Sequence, residues 1–233
     1  MKSWLGIFLA IVSLFFNFFF YQKAKKLEKT ENKYKVYAVT DGDSFIIDLD
    51  HEVRLDGIDA PAIDLCLGKE AKERLEELIL DKYVRIKSLG KDTFRRTLGI
   101  VYIDEEEASV NEILAREGWG KYERTGCEIK ERIKEASRLA KEERLGVWSP
   151  KCYQLENREE PNCSIKGNIG KTDRSKVYHF PGCSEYERTV VELDLGEEWF
   201  CSEEEAREAG YRKSEHCFDL TYSKTGTAVG QIE

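Results

Sequence analysis

The stretch VTDGDSFIID (residues 39–48), followed closely by VRLDGIDAP (residues 53–61), decides the fold. Around it, KVYAVT (35–40) and SFIIDL (44–49) are rich in β-branched and aromatic residues and flank the turn residues Asp41, Gly42 and Asp43. EVRLDGI (52–58) supplies a third run of the same kind. Short runs joined by tight polar turns predict an antiparallel meander.

Working outward, YVRIKSL (83–89) and LGIVYI (98–103) read as two more strands, separated by a polar, basic loop over 91–96. Between Gly68 and Asp81, the residues Ala71, Leu75, Leu78 and Ile79 recur at helical spacing and give one apolar face. Ser109 and Glu112 form a capping-box pattern that starts a helix ending near Gly118. A longer helix over 128–145 carries Ile129, Ile133, Ala136 and Ala140 on one stripe and stops at Gly146, before Pro150. Five strands with interspersed helices suit an OB-type barrel. The expected fold class is α+β: a five-stranded OB-fold barrel with about three helices over 33–150, an N-terminal membrane helix and spacer over 1–32, a linker over 151–162, a small α+β tail module over 163–222 and a frayed end over 223–233.

The N-terminal membrane helix is expected from WLGIFLAIVSLFFNFFFY (4–21), which is apolar apart from Ser13 and Asn17 and near the minimum length for a membrane span. No small-x-small cleavage site follows it, which favours an anchor over a removed signal peptide. Lys23, Lys25 and Lys26 after the segment would keep the body cytoplasmic by the positive-inside rule. Seven cysteines pull the other way, because that many imply disulfides or a metal, and the body is expected on the extracytoplasmic side.

A net charge of -8 excludes a broad basic surface that holds nucleic acid by counterion release alone. It leaves room for a local, metal-centred phosphodiester site, where a divalent cation offsets nearby carboxylates and a substrate phosphate. Asp43 at a strand start and Asp59 at a strand end are candidate carboxylates. Arg54 and Arg96 bring forked donors that match phosphate oxygens.

Five segments in order, VTDGDSFIID (39–48), VRLDGIDAP (53–61), DTFRRTLGIVY (92–102), VNEILAREGWGK (110–121) and GVWS (146–149), resemble successive signatures of the staphylococcal nuclease, or thermonuclease, family. The resemblance implies an OB barrel and a calcium-dependent nuclease acting on single-stranded or flexible DNA and RNA. It implies further that Asp43 and Asp59 are the calcium carboxylates, that Ala60 lends its backbone carbonyl to the metal, and that Arg54 and Arg96 grip the phosphate. One position departs from the pattern: the family's Asp-x-Pro-Glu reads here as Asp59-Ala60-Pro61-Ala62, so the glutamate credited with positioning water is absent. Asp64 is a weak substitute, shorter and displaced by two residues. A non-catalytic OB module that binds nucleic acid or a protein partner is the alternative.

Several secreted relatives carry cysteines at the places of Cys66 and Cys152, which implies a disulfide between them. The tail, with CSIKGNIG (163–170), VYHFPGCSEY (177–186) and EEWFCSEEEAREAGYRKS (197–214), resembles a sunset-type module and also a zinc-binding domain of bacterial DNA-alkylation repair proteins. Cys163, His179, Cys183, Cys201, His216 and Cys217 are therefore candidates for tail disulfides or a zinc site, with disulfides slightly ahead. Trp199 and Phe200 read as tail core rather than as a base-stacking platform.

Overall fold

The computed structural model describes residues 13, 16–20, 33–48, 50–103, 107–217, 220–222 and 228–230. The meander forms from β1 (Lys33–Val39), β2 (Ser44–Ile47) and β3 (His51–Leu55). β1 pairs antiparallel with β2, Val36 opposite Ile47 and Val39 opposite Phe45, with a register shift between Val36 and Ala38. A bulge of this kind bends a strand and increases its twist. On its other edge β1 pairs with β5 (Tyr83–Lys91), Tyr34 opposite Val84. β6 (Thr97–Ile103) then lies antiparallel to β5 and parallel to β3. The order β1-β2-β3-β6-β5 returns to β1, and the barrel closes with no open edge.

Alternation along these strands turns Val36, Phe45, Val53, Leu55, Val84 and Ile100 into the core. Helix α1 (Gly68–Ile79) adds Ala71, Leu75 and Ile79, all fully buried, while Leu78 stays partly exposed at the margin. Helix α2 (Val110–Glu117) starts at the expected capping box, with Ser109 and Glu112 hydrogen-bonding each other's backbone. It ends at Gly118, whose φ of +80° is left-handed and whose added Cβ would lie 2.4 Å from the Leu145 carbonyl oxygen. Helix α3 (Lys130–Glu142) buries Ile133, Ala136 and Ala140 as expected, with Ile129 just before it. The helix is shorter than the expected 128–145, because Arg144 turns left-handed at φ 55° and Leu145 is already extended.

Two short strands beside the barrel were not expected as separate elements. β4 (Ile58–Asp59) pairs with β7 (Lys121–Tyr122), Asp59 opposite Lys121. Runs of two residues carry no periodicity for a sequence reading to detect.

In the tail, β9 (Ile165–Ile169), β10 (Lys176–His179), β12 (Glu198–Phe200) and β13 (Arg212–Lys213) form a sheet in the order β12-β9-β10-β13. Its core holds Ile165, Tyr178, Phe180, Phe200 and Tyr211, with Ala206 from the short helix α4 (Glu203–Glu208). Phe200 is core as read, whereas Trp199 is only partly buried and its Nε1 donates to Gln154 Oε1 at 2.7 Å. The stretch expected as a linker therefore carries structure: β8 (Tyr153–Gln154) pairs with β11 (Val191–Glu192). Backbone pairing likewise extends into the end expected to fray, where β14 (Leu220–Tyr222) meets β15 (Ala228–Gly230). Most of the expected membrane helix over 4–21 lies outside the described residues. Among the described residues no helix is long and apolar enough to cross a membrane.

Candidate active site

Asp43 sits at the end of the turn that feeds β2, and the residue before it explains how the turn comes close to its neighbours. A Cβ on Gly42 would lie 2.7 Å from the Ala60 Cβ and 2.8 Å from the Ala71 Cβ. Glycine thus lets the 41–43 turn pack against both the 59–61 segment and α1. The Asp43 carboxylate is buried at 2% exposure, and both of its oxygens have partners. Oδ1 accepts from Ser44 Oγ at 2.8 Å and from Arg54 Nη1 at 2.5 Å, and Oδ2 accepts from the Ala60 backbone N–H at 3.0 Å.

Arg54 projects from β3 and is shared. Its Nη2 donates to Asp59 Oδ1 at 2.9 Å and lies 3.6 Å from Glu123 Oε2. Arg96, on the loop before β6, is held by one partner twice: Nε donates to Asp92 Oδ2 at 2.8 Å, and its backbone N–H donates to Asp92 Oδ1 at 2.9 Å. Its Nη1 also reaches Ser44 Oγ at 3.4 Å, and the guanidinium lies over the Phe94 ring. Asp43, Arg54, Asp59, Ala60 and Arg96 are brought together here from four separate segments. Ala62 is exposed nearby, and its carbonyl accepts from the Leu65 N–H at 2.9 Å.

Burial pushes the Asp43 carboxyl up to about 7, a rise that Arg54 opposes and Asp41 reinforces. Burial works against the Arg54 cation, but the carboxylates of Asp43 and Asp59 outweigh it and raise its pKa. A desolvated carboxylate with Asp41 and Asp59 beside it is an environment that a cation stabilises. The donor set of carboxylate and backbone carbonyl oxygens, without sulfur or imidazole, suits a hard divalent cation such as calcium.

Four residues of this site escaped the sequence reading. Ser44 links Asp43 to Arg96, Asp92 clamps Arg96, and Glu123 meets Arg54. Asn111 is buried on α2, where its Oδ1 accepts from the Val101 N–H and its Nδ2 donates to the Asp56 and Gly99 carbonyls. It satisfies backbone groups that the β3–β6 ladder leaves over just beyond Arg54. Ser44, Glu123 and Asn111 were hidden because their partners are distant in sequence. Only Asp92, four residues before Arg96 in a turn-like stretch, left a usable signal.

Cys66 and Cys152 form a disulfide, as the resemblance implied. In the tail, Cys163 pairs with Cys201 and Cys183 with Cys217. The zinc alternative loses its four thiolate ligands by this pairing and keeps only His179 and His216, since a disulfide sulfur is not a thiolate. Glu160 approaches the Cys163–Cys201 pair but adds no thiolate. His179 and His216 stack with ring centroids 6.3 Å apart, in a cavity of about 410 Å³ shared with Glu185, Arg212 and Glu215. Cys127 remains a buried thiol, its pKa raised by that burial.

Comparison with known proteins gives the same outline. The family model described as staphylococcal nuclease homologue matches residues 52–150. The thermonuclease of Staphylococcus hyicus is 33% identical over 132 residues, covering 51% of this chain and 77% of that protein. The micrococcal nuclease of Shigella flexneri is 30% identical over 127 residues, 49% of this chain and 72% of its own length. An uncharacterized endonuclease of Haemophilus influenzae is 26% identical over 125 residues, 52% of this chain and 68% of its own. All three alignments cover about half of this chain and most of the relative, and with two of them at 30% identity or more the chain belongs to the staphylococcal nuclease family.

Proposed function

We propose that the protein is a calcium-dependent nuclease that hydrolyses phosphodiester bonds of single-stranded or flexible DNA and RNA. It is slow, because Ala62 stands where the family's glutamate would be. One observation carries the reading: Arg54 touches Asp43 and Asp59 at once, and Ser44 ties that pair to Arg96.

Hydrolysis of a phosphodiester needs the phosphate charge neutralised, the five-coordinate transition state stabilised and a water aligned for attack. Asp43, Asp59 and the Ala60 carbonyl would hold the ion, which when bound supplies positive charge against a phosphate oxygen. Arg54 and Arg96 supply the forked donors. Asp92 fixes the Arg96 guanidinium before substrate arrives, so little reorganisation remains for the reaction itself. The third requirement is where the chain is weakest. A positioned acid-base group is commonly worth ~10²- to 10⁴-fold in rate, and its loss slows an enzyme built on electrostatics without abolishing it.

The protein is anchored to a membrane by its N-terminal segment, with its body on the extracytoplasmic side. The exposed rings of Phe16, Phe18, Phe19 and Phe20 support the anchor. Three disulfides support the oxidising side of the membrane.

A second reading, a non-catalytic barrel that holds nucleic acid or a protein partner, is favoured by the single observation of alanine at position 62. Digestion of single-stranded DNA by the full chain, with calcium and with a chelator, separates the two readings. The enzymatic one expects calcium-dependent cleavage well above an Arg96→Ala control, and cleavage no faster than that control ends it.

A further inference from the structure

The site lacks a carboxylate at position 62, but it does not lack a free carboxylate. Asp43 accepts from Ser44, Arg54 and the Ala60 N–H, and what remains of its Oδ2 is left for the ion. Asp59 is paired with Arg54, Asp92 is bound to Arg96, and Asp64 lies on the exposed loop after Ala62. Glu123 differs from all of these. Its Oε2 is 3.6 Å from Arg54 Nη2, the same nitrogen that donates to Asp59 at 2.9 Å. At that separation the contact is an ion pair rather than a hydrogen bond, so it leaves the carboxylate's acceptor positions open to water. The side chain is 58% exposed, which admits that water.

The backbone of Glu123 is not loosely held. Its N–H donates to the Gly57 carbonyl at 3.0 Å, continuing the β4–β7 pairing that places Asp59 opposite Lys121. The carboxylate therefore enters the site from the residue just after β7, the strand paired with the one that bears Asp59. It is also one methylene longer than Asp64.

We propose that Glu123 takes the place of the missing glutamate and aligns the attacking water beside Arg54. The inference rests on the nuclease reading of this site. A lone pair of the water forms the new P–O bond while its proton passes to the Glu123 carboxylate. The P–O bond that breaks leaves its electron pair on the departing ester oxygen, which takes a proton from solvent, and Glu123 returns its own proton to solvent. The products are a phosphomonoester and an alcohol.

Initial rates on a single-stranded oligonucleotide in calcium, measured for the full chain, Glu123→Gln, Ala62→Glu and the double variant, test the proposal. Glutamine keeps the shape and a polar contact to Arg54 but cannot accept the proton. Glu123→Gln is expected to lower kcat by about 10²-fold with a much smaller change in KM, and adding Ala62→Glu is expected to restore the rate. A Glu123→Gln rate within about twofold of the native chain, far short of the usual worth of a positioned base, overturns the proposal and leaves the nuclease reading standing. A loss that Ala62→Glu fails to restore also overturns it, because Glu123 then serves only to hold Arg54. An inactive native chain made active by Ala62→Glu overturns the substitution while keeping the metal and arginine site. Inactivity in all four sinks both readings.

Discussion

Lys121 Nζ lies 2.6 Å from Asp194 Oδ2 and 2.7 Å from Glu192 Oε2, and this buried contact fastens the tail to the strand pair that carries Asp59. Lys121 is 9% exposed and Asp194 3%. Burial raises the Asp194 carboxyl, and Lys121 opposes that rise. Removing one partner of such a pair strands the other charge, at a cost of roughly 3–5 kcal/mol. Lys121→Ala is therefore expected to lower the unfolding free energy by that order, seen as a fall in the urea midpoint, and to make the tail more susceptible to limited proteolysis. An unchanged midpoint would show that the barrel and tail hold together without this contact.

Arg96 depends on Asp92, whose Oδ2 holds its guanidinium while Oδ1 accepts from the Phe94 and Arg96 backbone N–H groups. Burial works to raise the Asp92 carboxyl, but its bonds to Arg96 more than reverse this and hold it below the usual range. Displacing a positioned group by about 1 Å can cost on the order of 10²-fold. Asp92→Asn, which keeps an Oδ1 acceptor for those two backbone N–H groups but removes the charge that holds the guanidinium, should accordingly lower kcat by roughly that factor while leaving the melting temperature nearly unchanged. Equal activity in the variant would mean that Arg96 holds its place without the clamp.

The Cys66–Cys152 disulfide joins positions 86 residues apart. In the chain-entropy model, closing a loop of that size restricts the unfolded chain by about 4 kcal/mol. The paired change Cys66→Ser/Cys152→Ser is expected to lower unfolding stability by that order. Cleavage rate at 25 °C should be retained, since neither sulfur touches Arg54 or Arg96. Equal denaturant midpoints for the variant and the oxidised native chain would contradict the expectation.

His179 sets a pH dependence in the tail. Burial drives its pKa from 6.5 down to about 4, with His216 and Lys166 adding to the fall and Glu185 opposing it. Arg212 and Glu215 also line the cavity it faces. Between those two values the unfolded chain binds more protons than the native one, so this contribution to stability is complete above 6.5 and is lost as pH falls toward 4. The loss of melting temperature between pH 7 and pH 5 should be smaller in His179→Gln than in the native chain. Identical losses would show that the imidazole does not titrate as buried.

Local rules carried much of the sequence reading because the residues concerned act on near neighbours. The capping box at Ser109 and Glu112, the α1 face of Ala71, Leu75 and Ile79, and the five barrel strands all follow from short-range periodicity. The ordered motifs around Asp43, Arg54, Asp59 and Arg96 identified the family, and the alanine at 62 was plain in the sequence. Tertiary structure decided what depends on partners far apart along the chain. It paired β4 with β7, bonded Lys121 to Asp194 across the two units, and chose Cys163–Cys201 and Cys183–Cys217 from the pairings that four cysteines allow. It also brought Glu123 to Arg54, because that contact depends on two short strands, distant in sequence and with no periodicity of their own, pairing with each other.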